Sequence, residues 1–95
     1  MRESTVRGVS PGEIKAMLAD GGELALFDVR EELIFSRGHL LHARSLPLSR
    51  LELRIRALVP RRATRVVLID DGDGLAQRAA ETLARLGYTD RKSVV

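Results

Sequence analysis

The chain of 95 residues has no cysteine, no tryptophan and only three aromatic residues, Phe27, Phe35 and Tyr88. Without a thiol it can form no disulfide, no thiolate metal site and no cysteine-based nucleophile. Lysine is also scarce, with 2 Lys against 14 Arg. No apolar run approaches the roughly 20 residues of a membrane-crossing helix. The opening Met1-Arg2-Glu3-Ser4-Thr5 lacks the apolar stretch of a secretory leader. Together with the missing disulfides, this sets the expectation of a cytoplasmic protein without a membrane partner.

What is present has the balance of a globular domain, 44% apolar and 31% charged. A chain of this length buries only roughly 60–65% of its unfolded surface, which leaves room for one modest core. The expectation is a single domain over residues 1–95, with a core from about residue 9 to 88. The net charge of +3 comes from arginines spread between Arg2 and Arg91 among 13 acidic residues. The densest cluster is Arg50, Arg54, Arg56, Arg61, Arg62 and Arg65. No aromatic is interleaved with it, so the pattern of single-strand nucleic-acid binders is missing. Nucleic acid is therefore not expected as a partner, and a small basic binding module would rest on the arginine count alone.

Helices and apolar strands alternate. Ser10-Pro11-Gly12-Glu13 has the capping-box spacing with proline at the first helical position, and Ile14, Met17 and Leu18 would form its apolar stripe up to Gly21-Gly22. Glu23 to Val29 reads as a strand buried on both faces. Glu31 to Arg37 predicts a short helical turn stopped by Gly38. Ser45-Leu46-Pro47-Leu48 is extended, because the residue before proline avoids the helical region. Ser49-Arg50-Leu51-Glu52 has capping-box spacing again, before a helix carrying Leu51, Ile55, Leu58 and Val59. Val66 to Ile69 is the strongest strand signal and runs into Asp70-Asp71-Gly72-Asp73-Gly74. Leu75 to Leu86 predicts a helix with Leu75, Ala79, Thr82, Leu83 and Leu86 inward and Gly87 after its end. Val94-Val95 would close a last short strand. This order implies an α/β fold, a mostly parallel sheet of four or five strands with helices on both faces. Ligands in such sheets lie beyond the carboxyl ends of the strands, where Asp28-Val29-Arg30 and the Asp70–Gly74 loop both fall.

At these residues the sequence resembles a rhodanese-like (thiosulfate sulfurtransferase) domain. Asp28-Val29-Arg30-Glu31 is similar to the family's D-V-R-E, Gly38-His39-Leu40-Leu41-His42-Ala43 to its G-H-I-P-G-A, and Ser45-Leu46-Pro47-Leu48 to its N-x-P-L. Val66 to Tyr88 resembles its strand, active-site loop and helix ending in L-G-Y. The likeness runs from Val9 to about Tyr88.

Two departures matter. The family's nucleophile is a cysteine just after the strand, in a loop of the type C-R-S-G-x-R. Counting back from Leu86-Gly87-Tyr88 without a gap puts Asp70 there, and a one-residue slip would put Ile69 or Asp71 there. Asp71 and Leu75 also stand where the resemblance implies basic or polar residues. Three carboxylates, Asp70, Asp71 and Asp73, would repel a thiosulfate dianion, since two unit charges 4 Å apart cost about 4 kcal/mol at an effective dielectric of 20. The expectation is a self-filled, inactive site lined by Asp70, Asp71, Gly72, Asp73, Gly74 and Leu75. One Asp carboxylate would accept the loop N–H groups that should face an anion and would cap the helix. The second departure is the end. The family continues into a G-G turn and a closing helix, whereas this sequence stops at Val95. A piece of a longer protein is therefore expected, its partner an unidentified protein, a sister domain or a second copy pairing over the uncovered sheet.

Bland roles are expected at the rim. Asp28 would cap backbone groups at a strand end, Arg30 would pair with nearby carboxylates, and His39 would hold a tight turn. His42 has no evident partner and should be exposed. Asp71-Gly72-Asp73-Gly74 is also similar to the D-x-D-G loop of haloacid-dehalogenase-type phosphatases. Such enzymes carry it on the first strand of a larger chain, and an EF-hand would need more ligands further along. No metal or cofactor is therefore expected.

Overall fold

The computed structural model describes residues 7–31 and 43–94. The predicted turn over Glu31 to Arg37, with His39 and His42, lies almost wholly outside them. The described elements are β1 (Arg7–Val9), α1 (Pro11–Ala19), β2 (Leu24–Asp28), β3 (Arg44–Ser45), a 3-10 turn (Leu48–Arg50) running into α2 (Leu51–Leu58), β4 (Arg65–Ile69), α3 (Leu75–Arg85) and β5 (Arg91–Val94). The strands form one sheet in the order β1-β5-β4-β2-β3, and every neighbouring pair is parallel. The fold is a single α/β domain.

The apolar runs of β2 and β4 follow from this sheet. Successive side chains on a strand point to opposite faces. Val66 and Leu68 of β4 therefore join Phe27 of β2, Leu51 and Ile55 of α2, and Ala76, Ala79, Ala80 and Leu83 of α3 on one face. Val67 and Ile69 join Val9, Leu26 and Ile14 of α1 on the other. Both faces are covered, so every position between Val66 and Ile69 must be apolar. Three alanines on the inner side of α3 let that helix lie close to the sheet.

The helix ends follow local chemistry. At α1 the capping box forms: the Glu13 N–H donates to Ser10 Oγ at 3.2 Å, and the Ser10 N–H donates to Glu13 Oε1 at 3.0 Å. At the end of α3 the Gly87 N–H donates to Ala84 O and the Tyr88 N–H to Leu83 O, a Schellman arrangement that needs the positive φ of 95° at Gly87.

Four expectations change. The second capping box does not form, since the Ser49 hydroxyl donates to Glu31 Oε2 at 3.0 Å. The 3-10 turn leads directly into α2, whose first residues have no side-chain cap. On α1 the inner stripe is Ile14 and Met17, while Leu18 is 44% exposed, because a nine-residue helix lying against the sheet turns only a narrow face inward. On α3, Ala76 and Ala80 are buried, whereas Leu75, Thr82 and Leu86 are half-buried. Finally, β1 adds a strand before Ser10, too short to show any periodicity.

Arg65 ties the start of β4 to the end of α1, donating to both oxygens of Asp20 at 2.8 and 2.9 Å and to the Glu23 carbonyl. Those hydrogen bonds, with a further one from the Gly22 N–H, hold the Asp20 carboxyl below its ordinary value of 3.8. A carboxyl lowered in the folded state adds stability above its unfolded pKa, and that stability is lost as pH falls through the folded value. Asp20→Asn should therefore melt with a shallower loss of Tm than the parent between neutral pH and about pH 3. Parallel Tm–pH curves for the two proteins would refute this.

Among the described residues no helix is long and apolar enough to cross a membrane.

Candidate functional site

Two adjacent strands deliver the site. β2 ends at Asp28 and β4 at Ile69, which are partners in register. The segments that follow, Val29 to Glu31 and Asp70 to Gly74, thus emerge side by side at the carboxyl edge of the sheet. Asp28 is fully buried. Its carboxylate is saturated by one residue. The Arg30 N–H donates to Oδ1 at 3.0 Å, Nε reaches both oxygens at 2.8 and 3.0 Å, and Nη2 donates to Oδ2 at 2.6 Å. A buried carboxylate needs such a fork, because an unpaired one would carry a large desolvation cost. The remaining arm crosses to the other segment, Arg30 Nη1 donating to Asp71 Oδ1 at 3.1 Å. These bonds raise the Arg30 pKa above its ordinary value, chiefly through Asp28, with burial opposing and Asp71 adding. Arg30 stays charged at any physiological pH.

The loop after β4 turns on two glycines, Gly72 with φ 78° and Gly74 with φ 88°. A Cβ at either would meet no neighbouring atom, so backbone conformation, not space, selects glycine. The turn folds Asp70 back over the start of α3. Asp70 Oδ1 accepts the Gly72 N–H at 2.9 Å and Oδ2 accepts the Ala76 N–H at 2.8 Å. Asp73 Oδ1 accepts the Leu75 N–H at 3.3 Å. The first turn of a helix has N–H groups without intrahelical partners and a partial positive charge. Here two of them, from Leu75 and Ala76, already meet carboxylates of the same chain.

The structure thus brings Asp28, Arg30, Asp70, Asp71, Gly72, Asp73, Gly74 and Leu75 to one rim, while His39 lies outside the described residues. The three loop aspartates do not converge. Asp70 turns to backbone N–H groups, Asp71 to Arg30 and Asp73 to the helix start. Among the described residues no group of three acidic or histidine side chains could hold a metal ion. A loop carboxylate capping the helix was legible in the sequence, but which aspartate and which N–H group, Asp70 and Ala76, follows only from the turn of the loop. The Ser49 hydroxyl on Glu31 was hidden behind a capping-box spacing.

The family model for the rhodanese-like domain matches residues 10–95. Among solved structures the chain is similar to a thiosulfate sulfurtransferase from Pseudomonas aeruginosa, with 49% identity and a TM-score of 0.89 over 94% of this chain. The chain spans only 17% of the length of that protein. It is similar also to a human single-domain sulfurtransferase, at 25% identity, TM-score 0.77, 95% of this chain and 89% of that one. An Escherichia coli rhodanese with anions matches at 26% identity and TM-score 0.69, covering 74% of this chain and 82% of that one. No curated protein matches.

Proposed function

Because this chain belongs to the rhodanese-like domain family, we propose that it is a catalytically inactive member of that sulfurtransferase family, serving as a regulatory or structural domain. The observation that carries the reading is at one position. Asp70 follows β4 where the resemblance implies the nucleophilic cysteine, and its carboxylate already takes the Gly72 and Ala76 N–H groups. Sulfur relay needs a soft thiolate that attacks sulfane sulfur and holds it as a persulfide. A carboxylate oxygen forms no such persulfide, and no cysteine elsewhere in the 95 residues can replace it. Donors that would face a substrate anion are occupied by an internal one.

A second reading is favoured by the 49% identity to a stretch making up 17% of a sulfurtransferase. In that reading this domain is one unit of a longer chain whose cysteine lies in another domain. Under either reading the partner is a protein, a sister domain or a second copy, and the location is cytoplasmic.

The test is thiosulfate:cyanide sulfurtransfer by the 95-residue chain. Thiocyanate formation should not exceed that of a boiled control. Turnover clearly above that control, scaling with protein concentration, would overturn the inactive reading. Activity in a longer parent chain, lost when its own cysteine is replaced, would support the second.

A further inference from the structure

α2 has a side the fold does not use. Its inner side buries Leu51 and Ile55 completely. Directly opposite stands Leu53, 87% exposed. At 100° per residue, Arg56 and Ala57 lie nearest Leu53 on that outer side, with Arg54 and Glu52 further round to either side, and Arg50 ends the 3-10 turn just before the helix. All of them are exposed, and Glu52 is paired with Arg85. Arg50, Arg54 and Arg56 make no ion pair among the described residues. The arginines further along are engaged: Arg61 with Glu23, Arg62 with the Leu86 carbonyl and the Tyr88 ring, and Arg65 with Asp20. The sequence cluster therefore divides into a structural half and an uncommitted half.

We propose that this outer face of α2 is a docking surface for an acidic protein segment that seats one apolar side chain against Leu53, with its carboxylates on Arg50, Arg54 and Arg56. Two observations carry it. Leu53 is far more exposed than any other large apolar side chain among the described residues, the next being Leu18 at 44%. Three guanidiniums within two turns repel one another until carboxylates intervene, and arginine, unlike lysine, presents a planar fork that matches a carboxylate bidentately. One leucine gives too little apolar area for a membrane interface, where amphipathic helices bring a whole apolar face. The surface has no aromatic platform for bases. It is independent of the Asp70 loop, so the proposal stands whether or not that site is inactive.

The probe is a short fluorescein-labelled glutamate-rich peptide carrying one leucine, titrated against the 95-residue chain by anisotropy at low salt. The comparison ligands are the same peptide with glycine for leucine, a DNA duplex, and phosphatidylglycerol vesicles. Binding is expected, and Leu53→Ala should weaken it ~tenfold by removing buried methylenes. Arg54→Glu with Arg56→Glu should weaken it by more than ~tenfold, since each attractive contact becomes repulsive. Both variants should stay folded, because the replaced side chains are exposed; Arg56→Glu, in the last turn of α2, lowers the melting temperature only slightly. Four results would overturn the proposal: no binding of the leucine peptide, equal binding of the glycine peptide, affinity unchanged by Leu53→Ala, or tighter binding to DNA or vesicles.

Discussion

Arg30→Met should destabilise the domain by about 3 kcal/mol, the low end of what removing one partner of a buried ion pair costs. The low end applies because Arg30 is itself 14% exposed at the rim, while Asp28 is fully buried. The variant strips Asp28 of its side-chain donors and leaves a carboxylate inside the sheet edge with one backbone N–H. For a domain of this size, 3 kcal/mol is a large part of total stability and corresponds to a fall in Tm of roughly 15 °C. Removing the charge as well should reverse much of the loss, so Asp28→Asn with Arg30→Met should melt well above Arg30→Met alone. Urea or thermal melts of the two variants decide the matter. If the double variant is no more stable than the single one, Arg30 acts through packing and not through the buried charge.

The second large effect is a gain of chemistry. Asp70→Cys with Asp71→Arg should give a chain that binds a single sulfur atom from thiosulfate, where the parent chain is expected to take up none. The substitution removes the carboxylate that occupies the Gly72 and Ala76 N–H groups and puts a thiol at the start of the loop. Its thiolate would attack the sulfane sulfur; the S–S bond of thiosulfate breaks and sulfite leaves with the electron pair. The enzyme then carries a persulfide. Cyanide attacks the outer sulfur, leaves as thiocyanate and returns the thiolate. A helix N-terminus behind the loop favours the thiolate over the thiol. Intact mass spectrometry reads the added sulfur, and Asp70→Ala is the control that should show none. A folded double variant whose thiol reacts with iodoacetamide yet gains no sulfur would show that the loop is no remnant of a nucleophile loop.

Much of the scaffold was legible because it rests on short-range rules. The Ser10–Glu13 cap, the Gly87 stop and the strand of Val66 to Ile69 each depend on neighbours within a few residues. Where a local rule had a competitor, it lost. Ser49 has the right spacing to cap α2, but Glu31, brought near by the fold, takes its hydroxyl. Leu18 has the right period for the inner stripe of α1, but so short a helix turns too narrow a face to the sheet to reach it. The two segments of the rim could be placed at one edge from the alternation of elements alone. Their division of labour could not. Arg30 had several carboxylates within plausible reach, and its choice of Asp28 and Asp71 joins positions 41 residues apart in the second case.

By itself the sequence settled that this chain brings no thiol of its own to any chemistry. A count of zero cysteines holds for any fold and any alignment, since no tertiary arrangement creates a thiol. It also determined that the sheet is covered on both faces, because uninterrupted apolar strands cannot rest with one face in water. Only the tertiary structure decided where the charges go. That Asp70 bonds to the start of α3, and that Arg30 gives Nε and Nη2 to Asp28 but Nη1 to Asp71, is set where the parallel neighbours β2 and β4 end side by side at one edge. The fold also sets the contrast between the engaged Arg61, Arg62 and Arg65 and the arginines at and before α2 that make no ion pair among the described residues. Partner choice among like charges is set by distance and burial, and neither quantity exists until the chain has folded.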